Sequence, residues 1–106
     1  TYAIHHDRLL RADLDQMFHT LYLRALAEAH EARAAHPGTR IAGSLGPLQA
    51  SYRPDLTEPV AAAAPKYAEI ARLLSPHVDL ILIEPAASIE AAEGAVLGAQ
   101  AAGKPV

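Results

Sequence analysis

Apolar and polar residues recur along the chain in blocks that predict helices and strands in alternation. The first block has the i, i+3, i+4, i+7 spacing of an amphipathic helix and consists of Leu14, Met17, Phe18, Leu21 and Ala25. Asp13 is a residue type that favours helix N-caps, and His36-Pro37-Gly38 is a sequence that ends helices. We therefore predict a first helix from about Asp13 to about Ala35.

Two apolar segments have the character of β-strands. Arg40-Ile41-Ala42 is short and leads into two glycines, whereas Val78–Glu84 is almost continuously apolar. A continuous apolar run is typical of a parallel strand that is buried on both faces. Between them, three prolines and a glycine predict a long irregular loop over residues 43–59.

Two further helices are predicted around the second strand. One covers about Ala61 to Leu74, and its apolar face would consist of Tyr67, Ile70, Ala71 and Leu74. Because proline disrupts a helix interior, Pro65 should lie near the start, which leaves open an alternative in which the alanines at 61–64 form a segment before the helix. The other begins after Ser88 as N-cap and ends before Gly103, and Ile89, Ala92 and Val96 would share one of its faces.

The predicted elements therefore alternate between helix and strand, and the start of a third strand is expected at Val106. This order predicts an α/β fold with a parallel sheet. Such units build either a doubly wound sheet or a (β/α)8 barrel, and the pattern alone leaves both open.

Composition narrows the class of protein. The chain has 106 residues, of which 51% are hydrophobic and 20% charged, with a net charge of −3, as in one globular domain. The mild acidity argues against nucleic acid as a partner, and no apolar run approaches the roughly 20 residues of a membrane helix. There is no cysteine, so disulfides and thiolate metal sites are excluded within these residues.

Candidate chemistry lies where the strands end, because sites in both architectures form at the carboxyl ends of parallel strands. Glu84 ends an apolar strand and could bind a substrate ammonium group, act as a base, or simply mark where the strand leaves the core. The loop Gly43-Ser44-Leu45-Gly46 matches neither a dinucleotide fingerprint nor a phosphate loop, so a turn is its simplest interpretation.

Two polar segments have weaker signals. His5-His6-Asp7 looks like a metal cluster, but adjacent side chains of a strand point to opposite faces, so a solvated loop is the preferred interpretation. Tyr52-Arg53-Pro54-Asp55 could form a lid, or Asp55 could simply make a local bond within a turn.

Longer motifs indicate a family. The segments IAGSLGPLQASYRPDL and YAEIARLLSPHVDLILIEPAASIEAAEGAVLGAQAAGKPV resemble the homocysteine S-methyltransferase family, including its zinc-dependent betaine–homocysteine methyltransferase-like members. In that family a strand and loop of the form AGSxGP precede a loop with Tyr and Arg, a helix, and a strand of the form VDLLLxET. TYAIHHDRLL is similar to the family segment after the second strand, so the resemblance covers essentially the whole chain.

The resemblance implies a (β/α)8 barrel of about 300 residues. Residues 1–106 would be a single partial domain, an internal piece from the end of the second strand to the start of the fifth. The reaction implied is zinc-activated methyl transfer from a sulfonium or ammonium donor, such as S-methylmethionine, to the thiol of L-homocysteine, which gives methionine. The zinc-binding cysteines would lie outside this chain, and the enzyme would be cytoplasmic.

The same resemblance implies a set of substrate-binding residues. Glu84 matches the family's glutamate at the end of the fourth strand, which binds the amino group of the substrate. Tyr2 lies near the substrate-binding residues that follow the second strand of the family. The third-strand loop at the barrel mouth corresponds to Gly43, Ser44 and Gly46. Pro85 stands where many members have threonine, and proline removes a backbone donor there.

We expect the isolated chain to be inactive, because it contains no zinc thiolate, and to self-associate through exposed sheet edges. Two alternatives remain open. One is another (β/α)8 enzyme that uses Glu84 as a base, and the other is a small non-enzymatic α/β module whose loop 43–59 contacts a partner.

Overall fold

A computed structural model describes all 106 residues and confirms the α/β class. The helices and strands follow the order α1 His6–Leu10, α2 Phe18–Ala35, β1 Ala42–Leu45, α3 Val60–Leu74, β2 Leu80–Ile83 and α4 Ile89–Ala99. Short 3₁₀ turns cover Asp15–Met17, Pro54–Leu56, Ser75–His77 and Gln100–Ala102. No helix is both long enough and apolar enough to cross a membrane.

The two strands form a parallel sheet, in which Ala42 lies opposite Leu80 and Leu45 lies opposite Ile83. On the other side of β2, the Ile81 N–H donates to the Pro105 carbonyl at 2.8 Å. The chain after α4 thus returns alongside β2, where the start of the next parallel strand was predicted.

The start of the first long helix was predicted wrongly. Asp13 has a φ of 60°, a left-handed conformation in which it ends one segment instead of capping the next. The α-helix begins at Phe18, and its buried residues are Phe18, Tyr22 and Leu26, while Leu14 is 43% exposed. The buried stripe therefore differs from the predicted one, although the helix ends at Ala35 as expected.

Helix α3 corrects the interpretation of Pro65. The helix includes the alanines at 61–64, and its first turn closes with bonds from Ala62 and Ala63 to the Pro59 carbonyl. Ala63 is buried, so packing holds this turn helical, while Pro65 faces solvent and its ring needs no space in the core. The predicted apolar face is confirmed, because Tyr67, Ile70, Ala71 and Leu74 are all buried.

Strand β1 begins at Ala42 and not at Arg40 as predicted, and it extends to Leu45. It therefore includes Gly43 and Ser44, which were assigned to the loop. A β-carbon at Gly43 would lie 3.0–3.3 Å from side-chain atoms of Leu74, Val78 and Ile81. The glycine therefore lets the helical layer pack closely on the strand, and the loop begins at Gly46.

Strand β2 is not buried on both faces. Ile81 is 1% exposed on the face that the helices cover, whereas Leu82 on the opposite face is 42% exposed. The helical layer covers one face, and no layer of these residues covers the other, which we call the open face.

Helices α3 and α4 pack through small residues. The buried face of α4 consists of Gly94, Ala95, Gly98 and Ala99, while Ile89 on the predicted apolar face is 83% exposed. A β-carbon at Gly98 would lie 2.4 Å from the Tyr67 Cβ and 2.6 Å from the Ala64 carbonyl oxygen. The expected helix ends are confirmed, since Ser88 Oγ accepts from the Ala91 N–H at 3.1 Å and Gly103 has a φ of 61°.

Substitution Gly98→Ala should destabilise the protein by about 1–3 kcal/mol, because the added methyl group overlaps the α3 backbone and forces the helices apart. Urea unfolding measures this loss. Glu93→Ala, at an exposed position of the same helix, is the matched control and should change stability by less than about 0.5 kcal/mol. Equal stability of the two variants would contradict the close packing of α3 and α4.

Candidate functional site

The carboxyl ends of β1 and β2 lie side by side and form the base of the candidate site. The Glu84 N–H donates to the Leu45 carbonyl at 3.0 Å, which continues the pairing past the last strand residues. Successive carbonyls of a strand point to opposite sides, so the Ser44 carbonyl points away from β2. There it accepts a bond from Thr1 Oγ1 at 2.8 Å, and the first residues of the chain thus lie along the other side of β1.

The open face of the sheet carries two predicted site residues. Ser44 pairs with Leu82 across the strands, so both side chains lie on this face. Glu84 follows Leu82 by two residues and belongs to the same face. The Ser44 hydroxyl is buried and has no hydrogen-bond partner. A carboxylate and an unused hydroxyl thus lie on neighbouring strands at the same end of the sheet.

Electrostatics at this end centre on the exposed carboxylate of Glu84. Pro85 follows Glu84 through a cis peptide bond and offers no N–H at this position.

Tyr2 and Gly46 are in direct contact. A β-carbon at Gly46 would lie 2.3 Å from the Tyr2 carbonyl oxygen and 2.7 Å from the nearest ring carbon. Only glycine leaves room for this approach, so the second glycine of the loop is explained by the backbone and ring of Tyr2. Gly43 is not part of this group. The position that its side chain would occupy faces the helices and not the end of the sheet.

Arg8 and Ser51 complete this group, and sequence reasoning did not select either of them. The Arg8 guanidinium lies 5.4 Å from the centre of the Tyr2 ring, donates from Nε to the Pro47 carbonyl at 3.0 Å, and reaches Ser51 Oγ at 3.2 Å. The Tyr2 hydroxyl also bonds to Ser51 Oγ. The hydrogen bonds from Arg8 and Tyr2 to the loop join residues 39 to 49 positions apart, so no local signal could have found them.

The rest of the loop is tied to α3 and to itself. Glu58 accepts from Lys66 Nζ at 2.9 Å and from the Gln49 amide at 2.8 Å, which anchors both ends of the loop. Asp55 accepts from Arg53 Nε at 2.7 Å, and this pair lowers the pKa of the Asp55 carboxyl. Asp55 thus makes the local turn bond that one of the two sequence interpretations described.

The expectation that His5-His6-Asp7 forms a solvated loop is wrong. His6 and Asp7 begin α1, and His5 is 1% exposed, with its ring edge packed against Tyr67 at 6.2 Å between centroids. His5 Nε2 lies 3.1 Å from the Tyr2 carbonyl, which only accepts, so Nε2 carries the proton and Nδ1 is left without a partner. Burial lowers the pKa of His5 to about 4, and the charge of Arg8 adds to this effect.

The histidines do not form a metal site. His6 stacks on Phe18 at 3.9 Å between ring centroids, whereas His5 packs against Tyr67, so the two rings have different neighbours. The structure contains no cysteine and no group of three His, Asp or Glu side chains that could hold a metal ion. The residues of this chain therefore cannot supply a thiolate zinc site. The sequence resemblance implies that such a site lies elsewhere in the protein.

Comparison with known families identifies the family of this chain. The family model described as homocysteine S-methyltransferase matches residues 1–106, the whole length of the chain. The chain belongs to the homocysteine S-methyltransferase family. The resemblance inferred from the motifs around Gly43 and Glu84 is thereby confirmed. No curated protein and no solved structure matches the chain.

The stability of the protein should depend on pH through His5. Its folded-state pKa of about 4 lies below the ordinary value of 6.5, so the unfolded chain takes up the proton first as the pH falls. The contribution of neutral His5 to the free energy of unfolding is complete above about pH 6.5. As the pH falls toward 4, the free energy of unfolding decreases by at most about 3 kcal/mol. Urea unfolding at several pH values measures it.

Variant His5→Gln should lose this part of the pH dependence, because glutamine can donate to the Tyr2 carbonyl but does not titrate. His36→Gln, at an exposed position after α2, is the control and should keep the wild-type profile. An unchanged profile in His5→Gln would rule out His5 as the buried titrating group.

Proposed function

We propose that this chain is part of an enzyme that transfers a methyl group to the thiol of L-homocysteine and so produces methionine. The observation that carries the proposal is the pair of Glu84 and Ser44 on the open face, at the carboxyl ends of adjacent parallel strands. Family membership supports the reaction class, and the position is the one where parallel α/β folds place their sites.

We further propose that β1 and β2 are the third and fourth strands of a (β/α)8 barrel. Two contacts support this arrangement, because Thr1 bonds to the outer side of β1 and Pro105 bonds to the outer side of β2. Both are the positions that neighbouring strands would occupy. The helices cover one face only, as in the outer ring of a barrel, and the open face with Ser44 and Glu84 would line the interior.

In this proposal Glu84 binds the ammonium group of homocysteine. Its carboxylate is exposed on the open face, and a carboxylate forms charge-assisted hydrogen bonds with an ammonium group. The Ser44 hydroxyl is buried and has no partner within the chain, so it can bond a polar group of the substrate only when the residues that cover it move aside. Tyr2 and Gly46 form the adjoining wall, where the glycine allows the chain to stay close to the tyrosine.

The reaction forms one bond and breaks one. The homocysteine thiol releases its proton to water, and the sulfur electron pair attacks the methyl carbon of a sulfonium or ammonium donor such as S-methylmethionine. The bond between methyl carbon and donor heteroatom breaks, its electrons remain on the donor, and the donor leaves as a neutral sulfide or amine. The role of Glu84 in this scheme is to orient the nucleophile, which is a contribution of proximity and alignment.

In this proposal, none of these 106 residues binds zinc. We propose that cysteines elsewhere in the protein hold it, as the resemblance of the sequence implies. On this basis the isolated 106 residues should be inactive, and their open face and strand edges favour self-association. Family membership favours methyl transfer over a barrel enzyme that uses Glu84 as a base and over a non-enzymatic module.

Variant Glu84→Gln, made in the full-length protein, should raise the KM for homocysteine about 10- to 100-fold, because it removes a charge-assisted hydrogen bond to the substrate. The kcat should fall less. Steady-state formation of methionine, measured with sulfonium and ammonium donors in turn, provides both constants.

The matched control is Glu93→Gln, at an exposed position of α4, which should keep the wild-type KM. An unchanged KM in Glu84→Gln would remove Glu84 from the substrate site. Absence of methionine formation by the wild-type protein with every donor would contradict the proposed reaction itself.

A further inference from the structure

Four groups hold Tyr2 from different directions. The Gly46 backbone lies against its carbonyl and ring edge, His5 Nε2 donates to its carbonyl at 3.1 Å, and Ser51 Oγ bonds to its hydroxyl. The Arg8 guanidinium covers its ring at 5.4 Å from the centroid. A tyrosine with its backbone, ring and hydroxyl all engaged has little freedom to move.

Arg8 is the group that joins Tyr2 to the loop after β1. Its Nε donates to the Pro47 carbonyl at 3.0 Å, and its Nη2 donates to Ser51 Oγ at 3.2 Å. Pro47 follows Gly46 directly, and Ser51 is also the partner of the Tyr2 hydroxyl. One side chain thus fixes the beginning of the loop, the middle of the loop and the aromatic ring at the same time.

We propose that Arg8 is a positioning residue for the methyl-transfer site, acting through Tyr2 and loop residues 46–51. This inference rests on the proposed function, since it names the residue that shapes the wall beside Glu84 and Ser44. Arg8 itself touches neither substrate nor donor in this proposal. It holds the loop and the ring in one arrangement at the end of β1, so that the substrates meet a preformed wall.

The contacts require arginine and not simply a positive charge. A guanidinium is planar, so it can lie over an aromatic ring while its N–H groups bond two acceptors in its own plane. A lysine ammonium is a compact point charge on a flexible stem and cannot make the three contacts together. The difference gives the proposal a specific test.

The experiment compares Arg8→Ala, Arg8→Lys and Ser51→Ala with Arg24→Ala in the full-length protein. Arg24 is an exposed arginine of α2 that makes no side-chain hydrogen bond, so its replacement is the matched control. Ser51→Ala removes the shared acceptor with little change in volume and serves if Arg8→Ala does not fold. Two readouts are used, namely the kinetic constants and cleavage of the loop.

Cleavage reports on the loop without any reference to the reaction. Tyr52 is 81% exposed and directly follows Ser51, so chymotrypsin can cut after it once the loop opens. We expect Arg8→Ala and Arg8→Lys to be cut there about tenfold faster than the wild type or Arg24→Ala, and Ser51→Ala to be cut at an intermediate rate.

In the kinetic readout, both Arg8 variants should raise KM for homocysteine or for the methyl donor about tenfold, while kcat stays within about threefold of the wild type. Wild-type KM together with wild-type cleavage in Arg8→Ala would overturn the proposal, and so would full recovery of both by Arg8→Lys. Should the wild-type protein form no methionine, the proposed function fails, while the cleavage rates still decide whether Arg8 holds the loop.

Discussion

Strand β2 is held against β1 at both ends, and the arrangement of the site depends on this pairing. At one end, Asp79 accepts from the Ile41 N–H at 2.7 Å, a bond that lowers the pKa of the Asp79 carboxyl, and the Asp79 N–H donates to the Ile41 carbonyl at 2.8 Å. At the other end, the Glu84 N–H bonds to the Leu45 carbonyl. A slip of one residue would move Glu84 to the covered face, because side chains alternate along a strand.

The helical layer reinforces the same register. Gly43 lets the helices approach β1, and Gly98 lets α4 approach α3, so one face of the sheet becomes tightly packed. The open face carries the hydroxyl of Ser44, the exposed apolar side chain of Leu82 and the carboxylate of Glu84. The residues that stabilise the protein by packing therefore lie on one face of the sheet, and the residues of the proposed site lie on the other.

Local patterns predicted the elements well where a single short-range interaction decides them. The Ser88 cap, the left-handed Gly103 and the buried face of α3 all follow from rules that act within a few residues. Predictions failed where packing overrides local preference. Pro65 lies inside a helix because buried Ala63 holds the preceding turn, and the apolar Ile89 faces solvent because glycines provide the closer contact.

The sequence by itself determined the α/β order, the existence of a strand just before Glu84, and the family to which the chain belongs, because these depend on composition, periodicity and motifs. The predicted bounds of that strand, Val78–Glu84, were too wide, because the strand covers only Leu80–Ile83. Only the tertiary structure decided that His5 is buried and neutral and that Arg8 covers Tyr2 and holds the loop. The bonds that hold the loop join residues about 40 positions apart, as between Arg8 and Ser51. Their geometry exists only after the strands have paired, so no local pattern carries it.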